Sequence, residues 1–315
     1  MSAARRYLFT LAVLVFSLAY LIRPARAEDP KVNIKKAPAQ QFIRLGLDTK
    51  KKPETLETAI VRYVPASGEG DLVVDLVGVV HIGDKDYYRT LNRKLAQYDV
   101  VLYELVAPEG KKIPMRDPDS VMGMIQEIVG VVLDLHWQVE KIDYTQKNFV
   151  HADMSPTEMA AEIKKRGDDG LTLALGVAAD MLRQQNLKNL KPPAEGKEPE
   201  VDFDPSSLLL DPHGPAKLKR VLAEQLADSA GSGLGETIEK ILVADRNKAC
   251  LKVFQKEMAK GKKKIAIFYG AAHMPDFDKR LRADYGLKVK SEEWLTAWDL
   301  TRERDLGDLI NKLLK

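Results

Sequence analysis

The stretches "GVVHIGD" and "GAAHMPD" place two of the chain's five histidines in one local frame, with Gly78 matching Gly270, His81 matching His273, Ile82 matching Met274 and Asp84 matching Asp276. In each, an apolar run ends at the glycine, two small or β-branched residues follow, then comes histidine, then a polar helix start. A glycine lets the backbone turn with no Cβ in the way and aims the histidine outward. Imidazole exchanges protons and ligates metals near neutral pH, so two in one frame point to a shared site. Between the frames, Glu104 stands inside the apolar run "VVLYELV". An unpaired carboxylate is costly to bury there, which favours a cation or a metal beside it. Before the second frame, "ILVADRNKAC" carries Arg246 and Asn247 amid apolar neighbours.

The elements that must position these residues are legible as strands and helices. "ETAIVRYVPASGEGDLVVDLVGVV" reads as two strands around a Gly-containing turn, the second apolar throughout, as a strand covered on both faces would be. "DKDYYRTLNRKLAQYD" has helical spacing through Tyr88, Leu91 and Leu95 with Asp84 as N-cap, and "VVLYELV" is the next buried strand. Strand, helix, strand makes a βαβ unit with parallel strands. If the strand "KKIAIFYG" joins the same sheet, both histidines meet at its carboxyl edge, where open α/β sheets hold their ligands. Ser155, Pro156 and Glu158 form a capping box for a further helix, Gly261 ends a long one, and "LKVKSEEWLTAWDL" reads as an edge strand.

The fold class that follows is α/β: a central mixed, largely parallel sheet with flanking helices, and a helical insertion at about 119–260 between the two G-x-x-H halves. Its boundaries are a signal segment at 1–27, an N-terminal extension at 28–56 and a single domain over 57–315. The Lys, Pro, Glu and Asp-rich stretch at about 186–215 is expected to be an exposed, flexible connection or lid.

Arg5 and Arg6, the apolar run from Tyr7 to Ile22 and the small residues Ala25 and Ala27 form an export signal cut after Ala27. The protein is thus expected to be periplasmic or secreted, with a membrane tether only if the segment stays uncut. Losing its four arginines takes the formal net charge from +3 to −1, so the basic balance does not signal nucleic-acid binding. The lysine runs carry no interleaved aromatic residues to stack bases. Cys250 is the sole cysteine; internal disulfides and thiolate metal cages are therefore excluded, and any metal is held by nitrogen and oxygen. Of the remaining histidines, His136 beside Trp137 reads as structural within an amphipathic helix, His213 in "DPHGP" as solvated, and His151 with Asp153 as a lesser site candidate.

With "GVVHIG", then "YDVVLYEL", and later "ADRN" before "GAAHMP", the chain resembles the TraB, GumN and TIKI superfamily, which includes relatives of erythromycin esterase. The resemblance covers roughly 70–106 and 236–283. It departs at Val79, where many members have threonine, and at Met274-Pro275, which replaces a leucine-containing turn. The TIKI branch implies a metal-dependent peptidase with His81, Glu104 and His273 as ligands of a divalent ion (zinc, manganese or cobalt), Arg246 stabilising an oxyanion and Asn247 orienting a peptide or small-molecule substrate. The esterase relatives imply instead a metal-free hydrolase in which His81 is the general base, Glu104 fixes its tautomer, and His273 and Arg246 stabilise charge. A third reading is an exported binder of peptide or haem that performs no catalysis. The sequence has no G-x-S-x-G elbow and no H-E-x-x-H helix, which removes serine-hydrolase and zincin chemistry.

Overall fold

Gly68 and Gly70 adopt φ of 80° and 91°, backbone that glycine takes without steric penalty, and the chain doubles back there as "SGEG" predicts. The computed structural model describes residues 40–106, 129–165, 211–232 and 243–304, all within one unit spanning Pro38–Asp168, Asp202–Leu234 and Ile238–Lys315. Strands β1 (Ile43–Leu47), β2 (Pro53–Pro65) and β3 (Val73–Val79) lead into β4 (Ile82–Gly83), helix α1 (Lys85–Leu95) and β5 (Val100–Tyr103). Then come β6 (His136–Trp137), the single turn α2 (Gln138–Lys141), β7 (Phe149–His151), α3 (Pro156–Lys165), α4 (Gly214–Ser232) and α5 (Asp245–Ala259). β8 (Lys264–Gly270), a 3-10 turn over Ala271–His273, α6 (Met274–Tyr285) and β9 (Leu287–Asp299) follow.

The main sheet is mixed and largely parallel. β3, β8, β5 and β7 lie side by side, each parallel to its neighbour. β1, β3 and β9 all pair antiparallel with β2, so β2 alone runs against the other strands of this sheet. β9 pairs with β2 alone, the edge position its alternation predicts. α1 and α4 pack on one face, through Tyr88, Leu91, Leu95 and Ala223 against Val77, Val101 and Phe268. α5 and α6 pack on the other, through Leu251, Phe254, Phe277 and Leu281 against Leu76, Leu102 and Ile267. Helices on both faces explain why β3 and β8 are apolar at nearly every position. Within β3, Asp75 is fully buried and takes Arg62 Nη2 at 2.7 Å and Tyr98 Oη at 2.6 Å.

Several expectations change. The 28–56 extension contains β1 and the start of β2, because Ile43 and Leu45 supply apolar side chains to the core. The described parts of the insertion are not only helical: β7 completes the main sheet, and β6 pairs with β4. His136 and Trp137 are extended because Asp134 takes φ of 50° and breaks the helical spacing. Asp84 stands at the N-cap position of α1 without capping it. Its Oδ2 accepts the Asp299 N–H at 2.6 Å and its Oδ1 faces Arg302 Nη1 at 3.3 Å. The signal segment at 1–27 and most of the 186–215 stretch lie outside the described residues; from Gly214 the chain is helical. Among the described residues no helix is long and apolar enough to cross a membrane.

Candidate functional site

β8 lies between β3 and β5, and its pairing sets Val79 opposite Gly270 and Gly78 opposite Tyr269. The two histidine frames are therefore neighbours at one rim, offset by one residue. β5 borders β8 on the other side and delivers Glu104, whose N–H donates to Phe268 O at 3.2 Å. Glu104 Oε2 accepts the Gly270 N–H at 2.7 Å. Its Oε1 accepts from Arg246 Nη2 at 2.7 Å and lies 3.5 Å from His273 Nε2. His81 approaches the same spot: a Cβ on Gly270 would stand 3.4 Å from His81 Nε2 and 3.3 Å from Glu104 Oε2. The glycine thus leaves room for an imidazole and a carboxylate to close on the backbone.

Arg246, in the first turn of α5, is 9% exposed. It donates from Nε to Asp153 Oδ1 at 3.0 Å and from Nη2 to Asp153 Oδ2 at 2.6 Å, and its Nη1 lies 3.5 Å from His273 Nε2. One guanidinium therefore spans two carboxylates and an imidazole, the planar fork geometry that a lysine could not reproduce. Burial works against its charge, yet the Asp153 hydrogen bonds and the Glu104 and Asp153 charges outweigh it and hold the pKa above the ordinary value. Burial likewise pushes the Glu104 carboxyl up, but His273, Arg246, His81 and the Gly270 N–H together carry it below its usual range.

Asn247 fixes the second histidine. Its Nδ2 donates to His273 O at 3.0 Å and Asp276 Oδ2 at 2.9 Å, which orients the amide, and its Oδ1 sits 2.7 Å from His273 Nδ1. An amide oxygen only accepts, so Nδ1 carries the proton and Nε2 presents a lone pair. Burial drives the His273 pKa down to about 4, with Glu104 opposing and Arg246 reinforcing. The ring is neutral at pH 7 and offers an acceptor. His81, by contrast, is exposed, and Gln138 Oε1 sits 2.9 Å from its Nδ1.

All five residues singled out in the sequence, His81, Glu104, Arg246, Asn247 and His273, meet at this rim. His151 does not join them: its Nε2 bonds Leu105 O at 2.6 Å, and Asp153, two residues on, reaches Arg246 instead. His136 belongs to the β4–β6 ribbon, and His213 is exposed, 3.7 Å from Glu303. Cys250 is buried, which pushes its thiol pKa up. Gln138 is the partner that sequence reasoning missed, whereas Asp153 was named only beside His151 and not as the partner of Arg246. For Asp153 the signal was present, an acid just past a strand end and just before a capping box; for Gln138 there was none.

By donor type the site fits a divalent ion: Asn247 and Gln138 set amide oxygens against Nδ1 of the two imidazoles and leave each Nε2 toward the rim, the arrangement that orients histidine ligands, and Glu104 supplies a carboxylate. Arg246 now bridges Glu104 Oε1 and His273 Nε2, and among the described residues no three His, Cys, Asp or Glu side chains form a ready ligand set. An ion held by both Glu104 and His273 would need Arg246 to give up a contact. No family model, curated protein or solved structure matches the chain.

Proposed function

We propose that the protein is an exported hydrolase that cleaves a peptide, ester or amide bond at the carboxyl rim of its sheet. The observation that supports this reading most is the meeting of His81 and Glu104 at Gly270, with Arg246 bonded to Glu104 at 2.7 Å. His81, the exposed ring, takes a proton from water through Nε2 and acts as general base. Arg246 supplies a fixed positive charge in a nearly water-free setting, where it stabilises a developing oxyanion far better than in bulk water. Glu104 holds that guanidinium in place. His273 is neutral and accepts a hydrogen bond, so its role differs from the charge-stabilising one the esterase resemblance implies.

If a divalent ion is resident, His81, His273 and Glu104 are the residues that would hold it. Such an ion lowers the pKa of bound water and polarises a carbonyl. A haem-binding role draws less from this geometry, since the His273 ring is 6% exposed and its Nε2 faces Glu104 and Arg246.

The test is hydrolysis of a peptide and ester panel by protein purified without chelator, with metal content measured alongside. Turnover lost in His81→Ala is expected. Activity kept in strong chelator assigns the base role to His81 alone, and stoichiometric metal lost in His273→Ala assigns ligation. Wild-type protein no faster than His81→Ala on every substrate overturns the hydrolase reading.

A further inference from the structure

Residues 136–138 grip the first histidine frame through backbone and side chain together. β6 pairs with β4, setting Trp137 opposite Ile82 and His136 opposite Gly83. One residue on, the Gln138 N–H donates to His81 O at 2.9 Å, and Gln138 Oε1 lies 2.9 Å from His81 Nδ1. On its other side Gln138 Nε2 donates to Tyr144 Oη at 2.9 Å, and Gln138 is 5% exposed. With Oε1 toward the ring, the proton on His81 must sit at Nδ1.

We propose that Gln138 is a positioning residue for His81: it holds the imidazole as the Nδ1–H tautomer and turns the Nε2 lone pair toward Gly270 and Glu104. Its catalytic consequence rests on the hydrolase reading above; the tautomer itself does not. Asn247 and Gln138 thereby do one job on two unlike rings, one buried and one exposed. A carboxylate partner would also accept from Nδ1, but it would add negative charge beside a site that already holds Glu104 and Asp153. A neutral amide sets the tautomer without that charge.

The experiment is long-range proton–nitrogen NMR of the imidazole groups of the full chain at fixed neutral pH, with His81 assigned by its disappearance in His81→Ala. The wild type is expected to show His81 as Nδ1–H. Gln138→Ala and the bulk-preserving Gln138→Met release the ring to both tautomers, with hydrolysis falling about 10- to 100-fold, the range for loss of a partner that orients a functional histidine. Gln138→Glu keeps the tautomer and recovers much of the rate. A wild-type His81 protonated at Nε2, or a folded Gln138→Met whose His81 stays wholly Nδ1–H, overturns the proposal. If no substrate is ever cleaved, the tautomer still decides it, so the two failures are separable.

Discussion

Arg246 holds the site together because two carboxylates depend on it. The Asp153 side chain is fully buried and that of Glu104 nearly so, and removing one partner of a buried ion pair costs about 3–5 kcal/mol. Arg246→Met is accordingly expected to lower the free energy of unfolding by that order in a urea titration and to abolish turnover. Asp153→Asn keeps the shape and the Glu104 contact while loosening the guanidinium, so it should reduce kcat more than stability. At Gly270 the conflict is local. An alanine Cβ there would crowd Glu104 Oε2 and His81 Nε2, both ends of side chains able to give by a few tenths of an ångström. Gly270→Ala should therefore fold with near-wild-type melting and lose about tenfold or more in kcat/KM, since small misplacements of reacting groups are heavily penalised. At Gly261, where φ is 84° and nothing lies within 4 Å of an added Cβ, alanine should instead cost about 1 kcal/mol of stability through backbone strain and leave turnover unchanged.

At the scale of elements, what the sequence made legible was local chemistry, and what it hid was pairing across long separations. The capping box is present as read: Glu158 Oε2 accepts the Ser155 N–H at 2.7 Å, and Ser155 Oγ accepts the Glu158 N–H at 3.2 Å. Ser155→Ala should cost about 1 kcal/mol, and Ser155→Asp should restore most of it, both measured by chemical denaturation. Because α3 begins three residues after Asp153, a frayed start also loosens the Arg246 partner, and a parallel fall in kcat is expected. Asp84 shows the limit. Its position before α1 was readable, but its carboxylate is claimed by Asp299 and Arg302, residues that only the closing of β9 brings near. β6 was hidden for the same reason, since two extended residues gain their pairing from β4. Gln138 was invisible with it.

For the molecule as a whole, the parallel order of β3, β8 and β5 is what joins the two frames to Glu104, and repeated strand-helix patterning predicts it; how α4 seats on β1 and β2 is not so encoded. That seat buries Lys219, 1% exposed, near Asp84, Asp134, Asp299 and Arg302. Burial lowers the Lys219 pKa even though Asp84, Asp134 and Asp299 oppose it, and burial raises that of Asp84. A lysine whose folded pKa lies below its unfolded value of about 10.4 disfavours the fold once pH drops through that interval, and the penalty persists at every lower pH. Asp84 has the opposite dependence: its raised pKa means the fold takes up its proton first, so acid relieves its burial while removing the anion nearest in effect to Lys219. Lys219→Met therefore gains least above the unfolded pKa of about 10.4, where the lysine is neutral in the folded and the unfolded chain alike. Its gain is partly offset at pH 7, where Asp84 loses a cation, and grows as pH falls toward 5 and Asp84 moves toward protonation. About 1–2 kcal/mol is expected there, within the range for replacing buried charge by apolar side chains, or roughly 2–4 °C in Tm per kcal/mol for a domain of this size. A variant melting below the wild type at pH 5 would mean that the three aspartates outweigh burial and that the charge holds α4 in place.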